Sequence, residues 1–306
     1  MTAPAAQRDV ARADGTLVPT AQPVRDGLIA AIAPITWGAT YLAMSELLPP
    51  TTPFWFSILR GLPVGILFAL QSLRLPAGIW WWRAGVLGTL NIAAAFALLF
   101  IMSNRLPGGV CGTMAATQPL LVVLIAWAVL GERPTSRKIA AAVGGFAGVA
   151  LLVLGHVTRL DPIGLMAGVF QPLLNGLGTV FTQRWGRPVP LLTFTGWQLV
   201  AGSVVLLPLA LIFEGAPPHL DAVNWMGLGF LAIFATGLAY FVWFRGIERL
   251  RASATSFLVL LVPLVAAALD WLLVDQRMTG LQLLGAALVL VSVFAATRPD
   301  ASATAR

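Results

Sequence analysis

Charge is scarce in this chain. Asp, Glu, Lys and Arg make up 10% of its 306 residues, whereas 58% are apolar and the mean hydropathy is +0.86. Soluble domains carry roughly a quarter charged residues, so a water-facing surface is excluded and a lipid bilayer is the expected surrounding. Cysteine is almost missing: Cys111 stands alone, which excludes an intrachain disulfide and any cysteine-based metal site. The two histidines, His156 and His219, fall in connections between apolar runs. Neither Gly-x-Ser-x-Gly nor His-Glu-x-x-His occurs, and no pair of carboxylates sits mid-run, so hydrolase and intramembrane-protease readings lack their chemistry. No catalytic residue, cofactor or metal is expected. Lysine is reduced to Lys138, and arginine supplies the rest of the 19 basic residues. They are spread between apolar runs rather than gathered in a patch, so the net charge of +7 is an orientation signal and no nucleic-acid partner is expected. Residues 1–26 lack the apolar core of a signal peptide and read as a disordered tail, with a second tail at 298–306.

What the chain has is long apolar runs. Ten segments emerge, near 27–47, 53–72, 82–103, 108–130, 137–155, 160–183, 191–213, 223–246, 252–274 and 278–297. Each is about long enough to span a bilayer, where only internally bonded backbone is tolerated, so all are expected to be helices of an integral membrane protein. With the N-terminus placed in the cytoplasm, fifteen basic residues, from Arg8 and Arg25 through Lys138 and Arg187 to Arg298, fall inside. Only Arg105, Arg159 and Arg277 fall outside, which predicts both termini cytoplasmic.

The second half echoes the first. At an offset of 144 (263 − 119), Pro119 falls on Pro263, Trp127 on Trp271, Arg133 on Arg277 and Arg105-Leu106 on Arg249-Leu250. At an offset of 138 (172 − 34), Pro34 falls on Pro172, Gly38 on Gly176 and Phe56 on Phe194. Two five-helix units, 27–155 and 156–297, are therefore expected, and an odd number of crossings makes the repeat inverted. Inverted repeats with a mid-membrane site between the halves are the architecture of secondary transporters. A channel or a non-transporting sensor on the same duplicated bundle is the alternative, and a monomer is favoured.

Polar and aromatic residues inside membrane helices are costly and are the default candidates for a binding site. Helix 1 offers Trp37, Thr40 and Tyr41, and helix 6 offers Gln171, Asn175 and Thr179 at matching depth. Asn91, Thr113, Thr117, Gln118, Tyr240 and Ser256 complete the substrate set. These groups are neutral, which suits a zwitterion with an apolar or aromatic side chain. Glu46, Arg60 and Asp270 are the ionisable residues of the outer membrane half, and Arg60 is expected to pair with one of the two carboxylates, Asp270 for preference, as an external gate. The small residues about Gly144 and Gly148 in helix 5 and Gly285 in helix 10 read as scaffold or as a dimer contact.

Trp37-Gly38, Arg60 after the Pro-led start of helix 2, the run Gly109-Val110-Cys111 to Gln118-Pro119, and Leu130-Gly131-Glu132-Arg133-Pro134-Thr135 resemble the drug/metabolite transporter superfamily, in particular its EamA-type ten-helix exporters. The second unit departs from that pattern, with Asp275-Gln276-Arg277 at the corresponding turn. The resemblance implies export of amino acids or related small metabolites across the bacterial inner membrane, with the aromatic amino-acid exporters as the nearest branch. Facilitated exchange and proton antiport both stay open, because no carboxylate lies near mid-membrane.

Overall fold

The computed structural model describes residues 10–11, 17–18, 23–49, 52–103, 105–106, 111, 114–153, 161–250, 252–273 and 279–297. Among them, β1 (Val10–Ala11) and β2 (Leu17–Val18) form a minimal antiparallel pair. Helix accounts for nearly all the rest.

α1 (Pro23–Leu47) and α2 (Pro53–Leu70) each open on a proline, whose missing N–H would be unpaired in a first turn anyway. α3 (Trp80–Gly88) runs through a π-helical segment, Thr89–Ala93, into α4 (Ala94–Ser103). α5 (Gln118–Leu130) ends at Gly131, whose φ of 70° is open to glycine at little steric cost. The Gly131 and Glu132 amides then turn back to the Trp127 and Ala126 carbonyls, satisfying the helix end. α6 (Ser136–Val153) and α7 (Pro162–Trp185) follow. Asp161 caps α7 by accepting from the Gly164 amide, and that bond, helped by Arg105, holds its carboxyl below the usual range.

α8 (Leu191–Phe213) precedes α9 (Ala222–Phe230), which continues through a second π segment, Leu231–Leu238, into α10 (Ala239–Leu250). α11 (Ala252–Ser256), a 3-10 turn at Phe257–Leu260 and α12 (Leu261–Leu273) make one interrupted rod, and α13 (Gly280–Thr297) ends the described chain. Seven of the described stretches are long and apolar enough to cross a membrane, and Gln118–Leu130 is a shorter apolar helix. Large side chains such as Ile212, Phe213 and Val291 face outward, as lipid solvates and water does not.

Four segments differ from expectation. The first helix starts at Pro23, inside the stretch read as a tail, because Asp26 is buried between Arg245 and Arg249 of α10 and its turn is thereby ordered. The third and eighth segments each contain a π stretch, and the ninth begins with a broken turn. Half of 108–117, the start of the fourth segment, lies outside the described residues.

Packing repeats across the two halves. α1 lies along α10, and α7, its counterpart, along α4. α1 also meets α12, and α7 meets α5. The two remaining strong contacts, α2 with α8 and α6 with α13, are each made between counterparts. Gly38 presses on Val262 and Val265 of α12, while Gly176, its echo, faces Val122 and Ile125 of α5. The helices of the α2–α8 and α6–α13 pairs run antiparallel: Gly61 lies against Ser203 and Gly65 against Leu199 in α2 and α8. In α6 and α13, Gly148 lies against Gly285 and Leu288, and Gly144 against Ser292. The small-residue stripe of helix 5 therefore serves a contact within the chain.

Candidate functional site

The two π segments meet the aromatic centre of the bundle. Extra residues in a π turn loosen the i to i+4 ladder and leave carbonyls available to outside donors. The Trp37 indole N–H donates to the Ala235 carbonyl at 3.0 Å, and the Tyr240 hydroxyl donates to the Asn91 carbonyl at 3.3 Å. Trp37 also packs on the rings of Tyr240 and Trp243, with centroids 5.4 and 5.2 Å away, and Phe96 meets Tyr240 edge-on. The Asn91 side-chain amide donates to the Gln198 carbonyl oxygen at 2.8 Å and to the Thr182 hydroxyl at 3.2 Å, joining the first π segment to α7 and α8.

The expected substrate residues divide into two groups rather than one ring. Trp37, Asn91 and Tyr240 share the centre just described. Gln118 donates to the Asn175 side-chain oxygen at 3.0 Å, joining α5 to α7, with the Gln171 Oε1 and the buried Thr179 hydroxyl unpartnered on the same helix as Asn175. Thr40, Thr117 and Ser256 bond to nearby backbone carbonyls of their own segments and face no cluster through those bonds. Thr113 and the side chains of Tyr41, Glu46 and Asp270 lie outside the described residues. Arg60 is buried, and its guanidinium lies 3.8 Å from the centre of the Phe96 ring. Among the described residues it has no carboxylate partner.

Sequence reasoning missed Gln198, Thr182 and Ser203, all buried, and a polar lock at the end of the bundle that carries the start of α1. There, Lys138 donates to Ser253 at 2.9 Å and Ser253 to Glu132 at 2.6 Å, with Lys138 and Glu132 themselves 4.0 Å apart. Gln183 donates to the other Glu132 oxygen at 3.0 Å and accepts from the Ala252 amide. Lys138, counted from sequence among the cytoplasmic basic residues, is only 6% exposed, and the network ties α5, α6, α7 and α11 together. Asp26 with Arg245 and Arg249, and Arg187 with Glu248, add ion pairs at the same end. At the opposite end, Glu214 accepts from the amides of Phe54 and Trp55 at the start of α2.

This duplicated, antiparallel bundle coincides with one family pattern occurring twice. The EamA-like transporter family matches residues 27–154 and again residues 162–298. The chain belongs to this family, within the drug/metabolite transporter superfamily. Protein PecM of Dickeya dadantii is 40% identical over 255 residues, covering 83% of this chain and 86% of PecM. A protein of Escherichia coli named as a probable amino-acid metabolite efflux pump is 24% identical over 292 residues, covering 88% of this chain and 94% of its own. One solved structure aligns with a TM-score of 0.74 at 22% identity, covering 89% of this chain and 97% of that one, and shares the fold. The family and its transporter-named members point to a multi-pass membrane transporter of small molecules rather than an enzyme.

Proposed function

We propose that this EamA-family protein exports neutral or aromatic amino acids, or closely related metabolites, across the bacterial inner membrane. Ten membrane helices would form two inverted five-helix repeats with both termini in the cytoplasm, and alternating access would expose a central site to each side in turn. The observation that carries this reading is the exchange of helix contacts between the halves: α1 on α10 and α12 answers α7 on α4 and α5. Such a bundle has two related packings available, which is what rocking of one repeat on the other requires. The gathering of Arg25, Arg83, Arg133, Arg187 and Arg245 at the Asp26 end supports the orientation.

Trp37, Asn91 and Tyr240 at the centre would contact cargo, and the separate Gln118–Asn175 pair between α5 and α7 would add amides along its path, a set of groups that suits a zwitterion with an apolar body. Uptake of a panel of labelled amino acids into proteoliposomes, with and without a pH gradient, tests the reading. Saturable uptake of aromatic or neutral amino acids is expected. Flux that rises linearly with concentration would reject a carrier.

A further inference from the structure

Arg60 is a buried positive charge stacked on an aromatic ring, with no carboxylate partner among the described residues. It keeps 7% exposure, and its Nε has no hydrogen-bond partner. Its guanidinium carbon lies 3.8 Å from the centre of the Phe96 ring. Phe96 stands edge-on to Tyr240, Tyr240 bonds to the Asn91 backbone, and Asn91 bonds to Gln198, whose own Nε2 is also unpartnered. Gln198 occupies on α8 the place that Arg60 occupies on α2, at the 138 offset (198 − 60). The hydroxyls of Ser203 and Thr236, both buried, have no partner either. A Cβ on Gly61, next to Arg60, would lie 3.2 Å from the Ser203 oxygen.

Among the described residues no carboxylate pairs with this guanidinium and its Nε–H donates to nothing, which suits an added acceptor, best a planar anion that takes two parallel bonds. The Phe96 ring offsets part of the charge, but it fills none of the N–H valences. We propose that Arg60 is the anion anchor of the transport site, holding a carboxylate of the cargo while Phe96, Tyr240 and Trp37 hold its apolar or aromatic body. Cationic amines are then excluded by the same charge. This rests on the reading of the centre as the cargo site and adds to it the group that the cargo must carry.

The test is thermal melting of the purified full-length protein in detergent with four probes of one shape: 3-phenylpropionate, L-phenylalanine, phenethylamine and 3-phenylpropanol. The two carboxylates should raise the melting temperature at concentrations at least tenfold below those at which the amine or the alcohol has any effect. Arg60→Gln should abolish the carboxylate response, and Arg60→Lys should keep part of it. Equal stabilisation by phenethylamine or 3-phenylpropanol, or no response to either carboxylate, overturns the proposal on the wild-type protein alone, whether or not the variants fold. Recovery of phenylpropionate binding in Arg60→Leu combined with Asp270→Leu or Glu46→Leu also overturns it, and makes Arg60 one half of an ion pair. If the carboxylates bind through Arg60 but labelled L-phenylalanine is not moved into proteoliposomes, the anchor stands and the amino-acid export reading falls.

Discussion

The backbone carbonyls of Asn91 and Ala235 lie 144 positions apart (235 − 91), in the two π segments, and each accepts a hydrogen bond from an aromatic side chain of another helix. Tyr240 serves Asn91 and Trp37 serves Ala235, so the same local break in the helix is used twice, once per half. Trp37 accordingly supports the second π segment while packing on Tyr240 and Trp243.

Trp37→Phe keeps a ring against Tyr240 but strands the Ala235 carbonyl, which costs about 1 to 3 kcal/mol when buried. The variant should fold with a lowered melting temperature and impaired transport, and Trp37→Ala should be worse on both counts. Unchanged stability in Trp37→Phe, measured by thermal melting, would show that the Ala235 bond contributes nothing.

Gly148→Leu should damage folding without touching the centre. A Cβ there would come within 2.8 Å of the Gly285 carbonyl oxygen on α13, so backbone has to move, and overpacking of this kind costs about 1 to 3 kcal/mol. Gly131→Ala is the milder comparison, since its Cβ meets open space and only the positive φ is strained. Size-exclusion profiles and yields of the two variants give the order, with Gly148→Leu the poorer.

The lock at the Asp26 end predicts strong coupling. Glu132→Gln leaves Lys138 buried without its counter-charge, a loss of about 3 to 5 kcal/mol for a pair of this burial, and Lys138→Met strands Glu132 in the same way. The double variant should recover much of the stability lost by either single one. Simple additivity in denaturation midpoints would mean that the two charges are independent.

How far these features were legible depends on how local they are. Trp37 and Asn91 stood out because each interrupts an apolar run, and the repeat offsets had already paired Gly38 with Gly176, which the helix contacts now use. Glu132 stood in a recognisable turn, yet its partners Gln183 and Ser253 are 51 and 121 positions away, so nothing nearby marked it as buried. Gln198 was visible as an amide inside an apolar run and as the echo of Arg60, but its role appears only once α8 packs on the first π segment. The π segments themselves carry no signal: Leu231–Leu238 reads as ordinary apolar helix. Asp26 was hidden among polar residues because its partners lie more than two hundred positions on.

The membrane orientation makes a separate prediction. In a Cys111→Ser background, Arg187→Cys should react with an impermeant thiol reagent only from the cytoplasmic side, and His219→Cys only from outside. Both positions are exposed, so access is set by the membrane and not by packing. External labelling at 187 in intact cells would invert the map.

The central claim is that this duplicated bundle is a carrier with a single site exposed alternately to the two sides. Counterflow measures this directly. Proteoliposomes preloaded with unlabelled aromatic amino acid should accumulate the same labelled compound transiently above its external concentration, with saturation, and with no accompanying ionic conductance. Labelled uptake that is unaffected by the internal load and unsaturable would contradict the account.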